Sequence, residues 1–328
     1  MAGRGATRAL AAIGAVALLV MPAAAAAKAK KKKVKPPPVV TATATAGTSA
    51  DGQVASTTAV CPPGTVALGG GFSGAVGREE GKPTDLYVVY ESRRGSPTSW
   101  RVLATREDAG TQGNSSTIFI TATVYCQSPN LRAAKKPKKP KKATTTRERK
   151  KRKKHEKRTL QVTEASSPGL EAEREEQSSA TASCPPGLSV ISGGFSVSPP
   201  PTLSGTALSF PLVWTNHTTS ANAWTASETT SGTTPTILTS YAYCANTSAP
   251  LALTGSGSVD AAQTGSATTP ACPANRPLMG GGFDNAPIPD GGSAALAFES
   301  TGESGGWRVS AYENSFEPAS LQAIAYCR

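Results

Sequence analysis

Apolar and polar residues alternate with a period of two through much of this 328-residue chain. The clearest window is Thr117–Cys126: Ile118, Ile120, Ala122 and Val124 share one face, and Phe119, Thr121, Thr123 and Tyr125 share the other. Such alternation predicts a strand with one buried side. Val39 to Ala46 alternates Val, Thr and Ala in the same way. Thr65–Leu68, Leu86–Ser92 and Trp100–Thr105 complete a set of about five strands. A second set follows the same order: Thr159–Glu164, Leu188–Ile191, Leu208–Thr215, Trp224–Thr229 and Ile237–Cys244. Pro211 places its strand at an edge or a bulge. A third set comprises Leu251–Thr254, Pro277–Met279, Ala294–Ser300, Trp307–Tyr312 and Leu321–Cys327. No window sustains an apolar spacing of 3.6, so no core helix is expected.

The three sets are copies of one pattern. Cys61-Pro-Pro-Gly leads to Gly69-Gly70-Gly71-Phe72, then Trp100, and closes at Tyr125-Cys126. Cys184-Pro-Pro-Gly leads to Gly193-Gly194-Phe195, then Trp224, then Tyr243-Cys244. Cys272-Pro-Ala-Asn leads to Gly280-Gly281-Gly282-Phe283, then Trp307, then Tyr326-Cys327. From first cysteine to phenylalanine the spacing is 11 in every copy. The repetition selects one of the 15 possible pairings of six cysteines: Cys61–Cys126, Cys184–Cys244 and Cys272–Cys327. A unit of about 80–90 residues has a marginal core. Only 5% of this chain is aromatic, so a covalent staple is the expected remedy. In the chain-entropy account, closing a loop of about 60 residues contributes about 4 kcal/mol.

An aromatic residue also recurs before each tryptophan, as Tyr90, Trp214 and Phe298. The predicted core aromatics are therefore Phe72, Tyr90 and Trp100, then Phe195, Trp214 and Trp224, then Phe283, Phe298 and Trp307.

The expected fold is all-β: three tandem small antiparallel β-sandwich or barrel domains, each with one disulfide, joined by disordered basic linkers. The boundaries are a signal peptide at 1–27, a Lys/Pro-rich spacer at 28–38, repeat one at 39–127, a basic linker at 128–158, repeat two at 159–247 and repeat three at 248–328. A closed three-fold assembly of all copies, as in a prism or trefoil, is the alternative. The long linker after the first copy argues against it, since closed repeats have short connections.

Charge is unevenly distributed. The net charge of +12 comes from the connecting segments. Arg132–Arg158 holds 16 Lys or Arg against two Glu, and Lys28–Lys35 holds six Lys. The repeats keep 10 basic and 20 acidic residues. Lys135, Lys136, Lys138, Lys139, Lys150, Lys151, Arg152, Lys153 and Lys154 form a candidate polyanion-binding tract. The tract is equally readable as a solvated spacer. It has no aromatic residue for stacking on bases, which disfavours a dedicated nucleic-acid binder.

The N-terminus carries Arg4 and Arg8, an apolar run from Leu10 to Val20, and Ala23 to Ala27 after Pro22. This reads as a secretory signal with an A-x-A cleavage site. It agrees with oxidised cysteines in an extracytoplasmic compartment. No other segment is long and apolar enough to span a bilayer.

The glycine runs lack the Lys-Ser/Thr of a phosphate loop and open no helix. They read as β-bulges or tight turns needing positive φ or close backbone approach. The two histidines, His155 and His217, and the absence of C-x-x-C give no metal site. Glu91-Ser92 and Glu299-Ser300 recur in equivalent places, with Thr215-Asn216 in the second copy. A strand-end carboxylate capping a neighbouring loop explains them, although hydrolysis by such carboxylates is the enzymatic alternative. Asn114, Asn216 and Asn246 are glycosylation sequons relevant only in a glycosylating host.

The combination Cys-Pro-x-Gly, Gly-Gly-Gly-Phe, Trp and Tyr-Cys resembles a group of uncharacterised secreted bacterial proteins, frequent in actinobacteria, that carry this module singly or in tandem. The likeness covers residues 55–127, 180–245 and 268–328. It implies an exported β module and brings no activity with it. The functional expectation is a non-enzymatic secreted repeat protein, without cofactor or metal, that binds or builds part of the cell envelope. The expected partner is an envelope glycan or another anionic polymer, with no sequence-specific nucleic acid. A polyanion tether acting through the linker, and an uncharacterised hydrolase, are the alternatives.

Overall fold

The computed structural model describes residues 38–48, 53–74, 77–79, 82–108, 117–129, 159–173, 176–199, 202–204, 207–231, 234–285, 295–313 and 318–328. The predicted signal peptide and basic tract lie outside them. So does most of the Lys/Pro-rich spacer.

Every regular element among the described residues is a strand. Repeat one supplies β1 (Val39–Thr48), β2 (Val54–Val60), β3 (Val66–Gly74), β4 (Gly77–Glu79), β5 (Lys82–Ser96), β6 (Ser99–Asp108) and β7 (Ile118–Gln127). Repeat two supplies β8 (Val162–Ala172), β9 (Gln177–Ser183), β10 (Ser189–Ser198), β11 (Thr202–Ser204), β12 (Ala207–Ser220), β13 (Ala223–Ser231) and β14 (Thr236–Ala245). Repeat three supplies β15 (Leu251–Val259), β16 (Thr264–Thr268), β17 (Leu278–Asp284), β18 (Leu296–Glu303), β19 (Gly306–Tyr312) and β20 (Ala319–Cys327).

Besides the three-residue β4 and β11, one strand per copy was not legible from hydrophobic alternation: β2, β9 and β16, each just before the first cysteine. Their inward residues are small, as in Ala55, Thr57 and Ala59 of β2 or Ser178, Ala180 and Ala182 of β9. Alternation of Ala with Thr or Ser is a weak period-two signal.

Each repeat is a two-layered antiparallel sandwich. In repeat one, β1, β7 and β3 form one layer, and β2, β6 and β5 form the other. The disulfide Cys61–Cys126 joins the end of β2 to β7, and Trp100 of β6 lies against Gly70 of β3. Cys184–Cys244 and Cys272–Cys327 close the other two repeats in the same way. Among the described residues no cysteine is free.

The layers do not end at the repeat boundaries. The sheets run β1-β7-β3-β18-β19-β16, β2-β6-β5-β10-β14-β8 and β15-β20-β17-β12-β13-β9. Each joins three strands of one repeat to three of another, and every pair of repeats shares a sheet. The closed three-fold arrangement, held as the alternative on sequence grounds, is therefore the one that the pairings draw. The joins are short: Ser300 opposite Phe72, Phe195 opposite Ser92, and Asn216 opposite Phe283, with one further pair at each.

The three glycine strands meet in a common core. Phe283 makes edge-to-face contacts with both Phe72 and Phe195, at 6.4 Å between ring centroids, a favoured aromatic geometry. Ser192 Oγ of repeat two donates to the Leu68 carbonyl of repeat one. Val88, Leu212 and Leu296, one from each repeat, form a separate buried cluster; Leu212 is the most exposed of the three.

The long linker does not oppose this closure. The Leu160 N–H donates to the Pro129 carbonyl at 2.8 Å, so the chain leaves and re-enters the body at one place. Closure entropy rises only slowly with loop length, and a long insert at such a point leaves the core undisturbed.

Candidate functional site

The recurring motif is the first candidate for a site, and its residues are engaged in holding the repeats together. Trp100, Trp224 and Trp307 are all buried. Each indole N–H needs a partner once it leaves water. Trp100 Nε1 donates to Ser92 Oγ at 3.0 Å, Trp224 Nε1 to Asn216 Oδ1 at 2.7 Å and Trp307 Nε1 to Ser300 Oγ at 3.0 Å. The position after the recurrent carboxylate is thus the indole's acceptor. Asn216, one of the sequon asparagines, is buried in that role.

The glycines make room for these rings. A Cβ on Gly70, Gly193 or Gly281 would lie 2.2, 2.2 or 2.1 Å from the indole of its own repeat. The next glycine faces another repeat. A Cβ on Gly71 would meet the Ser300 carbonyl at 2.1 Å, on Gly194 the Ser92 carbonyl at 2.3 Å, and on Gly282 the Asn216 carbonyl at 2.2 Å. Close approach, one of the two reasons expected for these glycines, is the operative one. Positive φ is instead found at Gly64 and Gly187 of the Cys-Pro-Pro-Gly turns. β-Bulges do adjoin the runs, at Leu68, Ile191 and Met279, where register shifts by one residue.

The tyrosine of each Tyr-Cys pair reaches into another repeat. Tyr125 accepts from the Gly302 N–H at 2.6 Å, Tyr243 from the Arg94 N–H at 2.7 Å and Tyr326 from the Thr218 N–H at 2.9 Å. Their rings pack on Trp307, Trp100 and Trp224 at 5.6, 5.6 and 5.3 Å. Burial raises the pKa of all three phenols, that of Tyr326 to about 12.

The other predicted core aromatics occupy β-bulges at Tyr90, Trp214 and Phe298. Tyr90 and Phe298 are buried, and burial pushes the Tyr90 phenol up to about 12. Trp214 is half-buried, and its carbonyl accepts from the Asn285 N–H at 2.8 Å.

The recurrent carboxylates are tied down. Glu91 accepts from Arg101 Nε at 2.5 Å and Nη2 at 2.8 Å, a bidentate pair, with Arg93 Nε at 3.2 Å. Such pairing fixes the carboxylate geometrically. Glu299 accepts from Ser310 Oγ at 2.5 Å and sits 3.3 Å from Arg308. In the second copy the acid comes from another repeat: Asp284 accepts from Thr215 Oγ1 at 3.0 Å and faces His217 at 3.7 Å. Rather than capping a neighbouring loop, as expected from the sequence, Glu91 and Glu299 bond to side chains of the adjoining strands β6 and β19, and Asp284 to Thr215 of β12. Among the described residues no group of three His, Cys, Asp or Glu is arranged to hold a metal.

One acidic residue was not singled out from sequence. Glu228 of β13 is fully buried. Its Oε1 accepts from Thr236 Oγ1 at 3.1 Å and Ser178 Oγ at 3.4 Å, and Oε2 is unpartnered. Burial pushes its pKa up to about 7, against the two hydroxyl donors that lower it. Only its position on the inward face of a Trp-led alternation, Trp224, Ala226, Glu228, could have disclosed it.

A groove of about 380 Å³ opens where repeats one and three meet. Val39, Thr41 and Tyr125 line it from one side, and Leu278, Gly302 and Gly305 from the other. The proposed polyanion-binding lysines and arginines between Lys135 and Lys154 lie outside the described residues.

No protein-family profile and no curated protein sequence matches the chain. The resemblance to secreted bacterial modules rests on the motif residues themselves.

Proposed function

We propose that this chain is a non-enzymatic extracytoplasmic protein that binds or builds part of the cell envelope. One observation carries the reading. The Trp, Ser/Asn, Tyr and Cys positions, and two glycines of each run, are engaged in contacts within or between repeats. The recurrent acids are engaged in ion pairs or hydrogen bonds. Repetition here serves closure of a rigid body and leaves its surfaces for recognition. Three disulfides fit an oxidising compartment, and the N-terminal sequence has the form of a secretory signal. Whole-wall pulldown and glycan-array binding test the reading. Retention at low micromolar concentration is expected; its absence from both counts against it.

A second reading is favoured by the bond between Leu160 N–H and Pro129 O. A spacer has no distance to span between residues that already touch. The 16 positive charges of residues 132–158 then call for another role, and attraction of an anionic polymer is the physical one. Binding through the tract falls steeply with salt and disappears when it is deleted. Equal binding without the tract eliminates this reading.

A further inference from the structure

In each repeat the first strand lies at the end of a sheet and pairs on one side only: β1 with β7, β8 with β14 and β15 with β20. An open edge offers its backbone N–H and C=O groups to another strand, and charge, proline or a bulge along the edge discourages such pairing. β8 has all three. It carries Glu164, Pro168 and Glu171, and its register shifts opposite Ile237 and Thr239. β1 has none of them: its 10 residues are uncharged, free of proline and paired with β7 without a shift. β15 is equally bare, so openness alone does not distinguish β1.

The two ends of β1 distinguish it. Gly47 stands opposite Phe119, whose ring lies so close that a Cβ on Gly47 would be 2.9 Å from it. Phe119 is nevertheless 51% exposed. In the same two register positions repeat two has Glu171 and Ile237, and repeat three has Ser258 and Ser320. The other end of β1 is Val39, where repeat three has Pro250. Val40, Val54, Val60 and Phe119 make repeat one rich in exposed apolar side chains, and repeat three shows no large one among its described residues. Such a concentration on one surface marks an interface.

Val39 and Gly47 lie symmetrically about Thr43. A second β1 laid antiparallel along the first, centred on Thr43, sets its Val39 opposite Gly47 and beside the Phe119 ring, and the same contact recurs at the other end. Thr41 then faces Thr45, Thr43 faces its own copy, and on the opposite face Ala42 meets Ala44. The edge thus complements itself across a two-fold axis. We propose that two copies of this chain join edge to edge in this way, carrying the sheet of β1, β7 and β3 from one molecule into the other. The occupant is a second copy because β1 matches itself at every pair, whereas β8 and β15 lack the Val39, Gly47 and Phe119 combination. The proposal goes beyond envelope binding and makes no use of the basic tract.

The test uses the oxidised full chain. Light scattering and sedimentation equilibrium should show a monomer–dimer equilibrium with a Kd of about 1–100 μM. Thr43 is exposed, and Thr43→Lys sets two like charges against each other at the axis. It should weaken dimerisation at least about tenfold, as should Phe119→Ala, which removes the apolar contact at each end. Ser166→Lys, at the register position of Thr43 on β8, should leave dimerisation unchanged. Cysteine trapping reads the register. Thr43→Cys should crosslink to itself, and Thr41→Cys should crosslink to Thr45→Cys when the two variants are mixed, but not to itself. A monomer at all concentrations up to about 500 μM, a dimer that Thr43→Lys and Phe119→Ala leave intact, an equal loss in Ser166→Lys, or self-crosslinking of Thr41→Cys each overturns the proposal.

Discussion

The Tyr243 hydroxyl of repeat two accepts the Arg94 N–H of repeat one at 2.7 Å, across 149 residues of chain. Tyr243 is fully buried, so no water can replace that bond. Tyr243→Phe leaves the Arg94 N–H without an acceptor and should cost about 1–3 kcal/mol. Chemical denaturation measures this. The loss should lower the midpoint for probes in repeats one and two together, since the sheets are continuous. A loss confined to repeat two contradicts that.

Gly70, Gly193 and Gly281 each face an indole so closely that a methyl group cannot be accommodated without moving the ring. Alanine at any of them should destabilise by about 2–4 kcal/mol, as overpacking of a dense core does. Gly64 differs: its φ is 79° and a Cβ there meets nothing within 4 Å. Alanine at Gly64 should cost only about 1 kcal/mol, from backbone strain alone. Thermal unfolding of the four variants checks the ranking.

Glu228 makes a pH-dependent contribution. Its folded pKa of about 7 exceeds its ordinary value of 4.5, so the folded state holds the proton more tightly than the unfolded state. The contribution to stability is complete below the ordinary value. It diminishes as pH rises from there through about 7, and is gone above. Glu228→Gln keeps the shape and removes the titration. Above pH 7 the variant should be more stable than the parent by on the order of 3 kcal/mol, and the difference should vanish near pH 4. Urea unfolding across that range reads it directly.

The Leu160–Pro129 bond makes a further forecast. With residues 131–158 removed, Pro129, Asn130, Thr159 and Leu160 become a four-residue turn closed by the bond already present. The shortened chain should unfold within about 2–4 °C of the parent. A larger loss would mean that the tract contributes to the core.

Much of this was legible in the sequence because the repeat makes each inference three times. Cysteine pairing followed from spacing, and Trp100, Trp224 and Trp307 followed from their fixed order. Three things were not legible. Hydrophobic alternation cannot say which repeat lies beside Phe72, Phe195 or Phe283, because the joins involve only two residue pairs apiece and bring backbone carbonyls against glycines. A run such as Gly69-Gly70-Gly71 signals close approach without naming what approaches. Nor could charge composition disclose that Pro129 and Leu160 touch, and so the linker's length wrongly weighed against closure. The Ala/Thr and Ala/Ser strands before each first cysteine were missed for want of large apolar residues.

The central claim is that the three repeats fold as one body through shared sheets. Expressing oxidised repeat two alone, residues 159–247, and measuring its mass in solution and its unfolding tests this most directly. Without its neighbours the repeat loses the acceptor contacts of Tyr243 and the pairing of β10 with β5 and of β12 with β17. It should be unfolded as a monomer, or folded only when self-associated. A monomer that unfolds cooperatively with the stability of the intact chain would contradict the account.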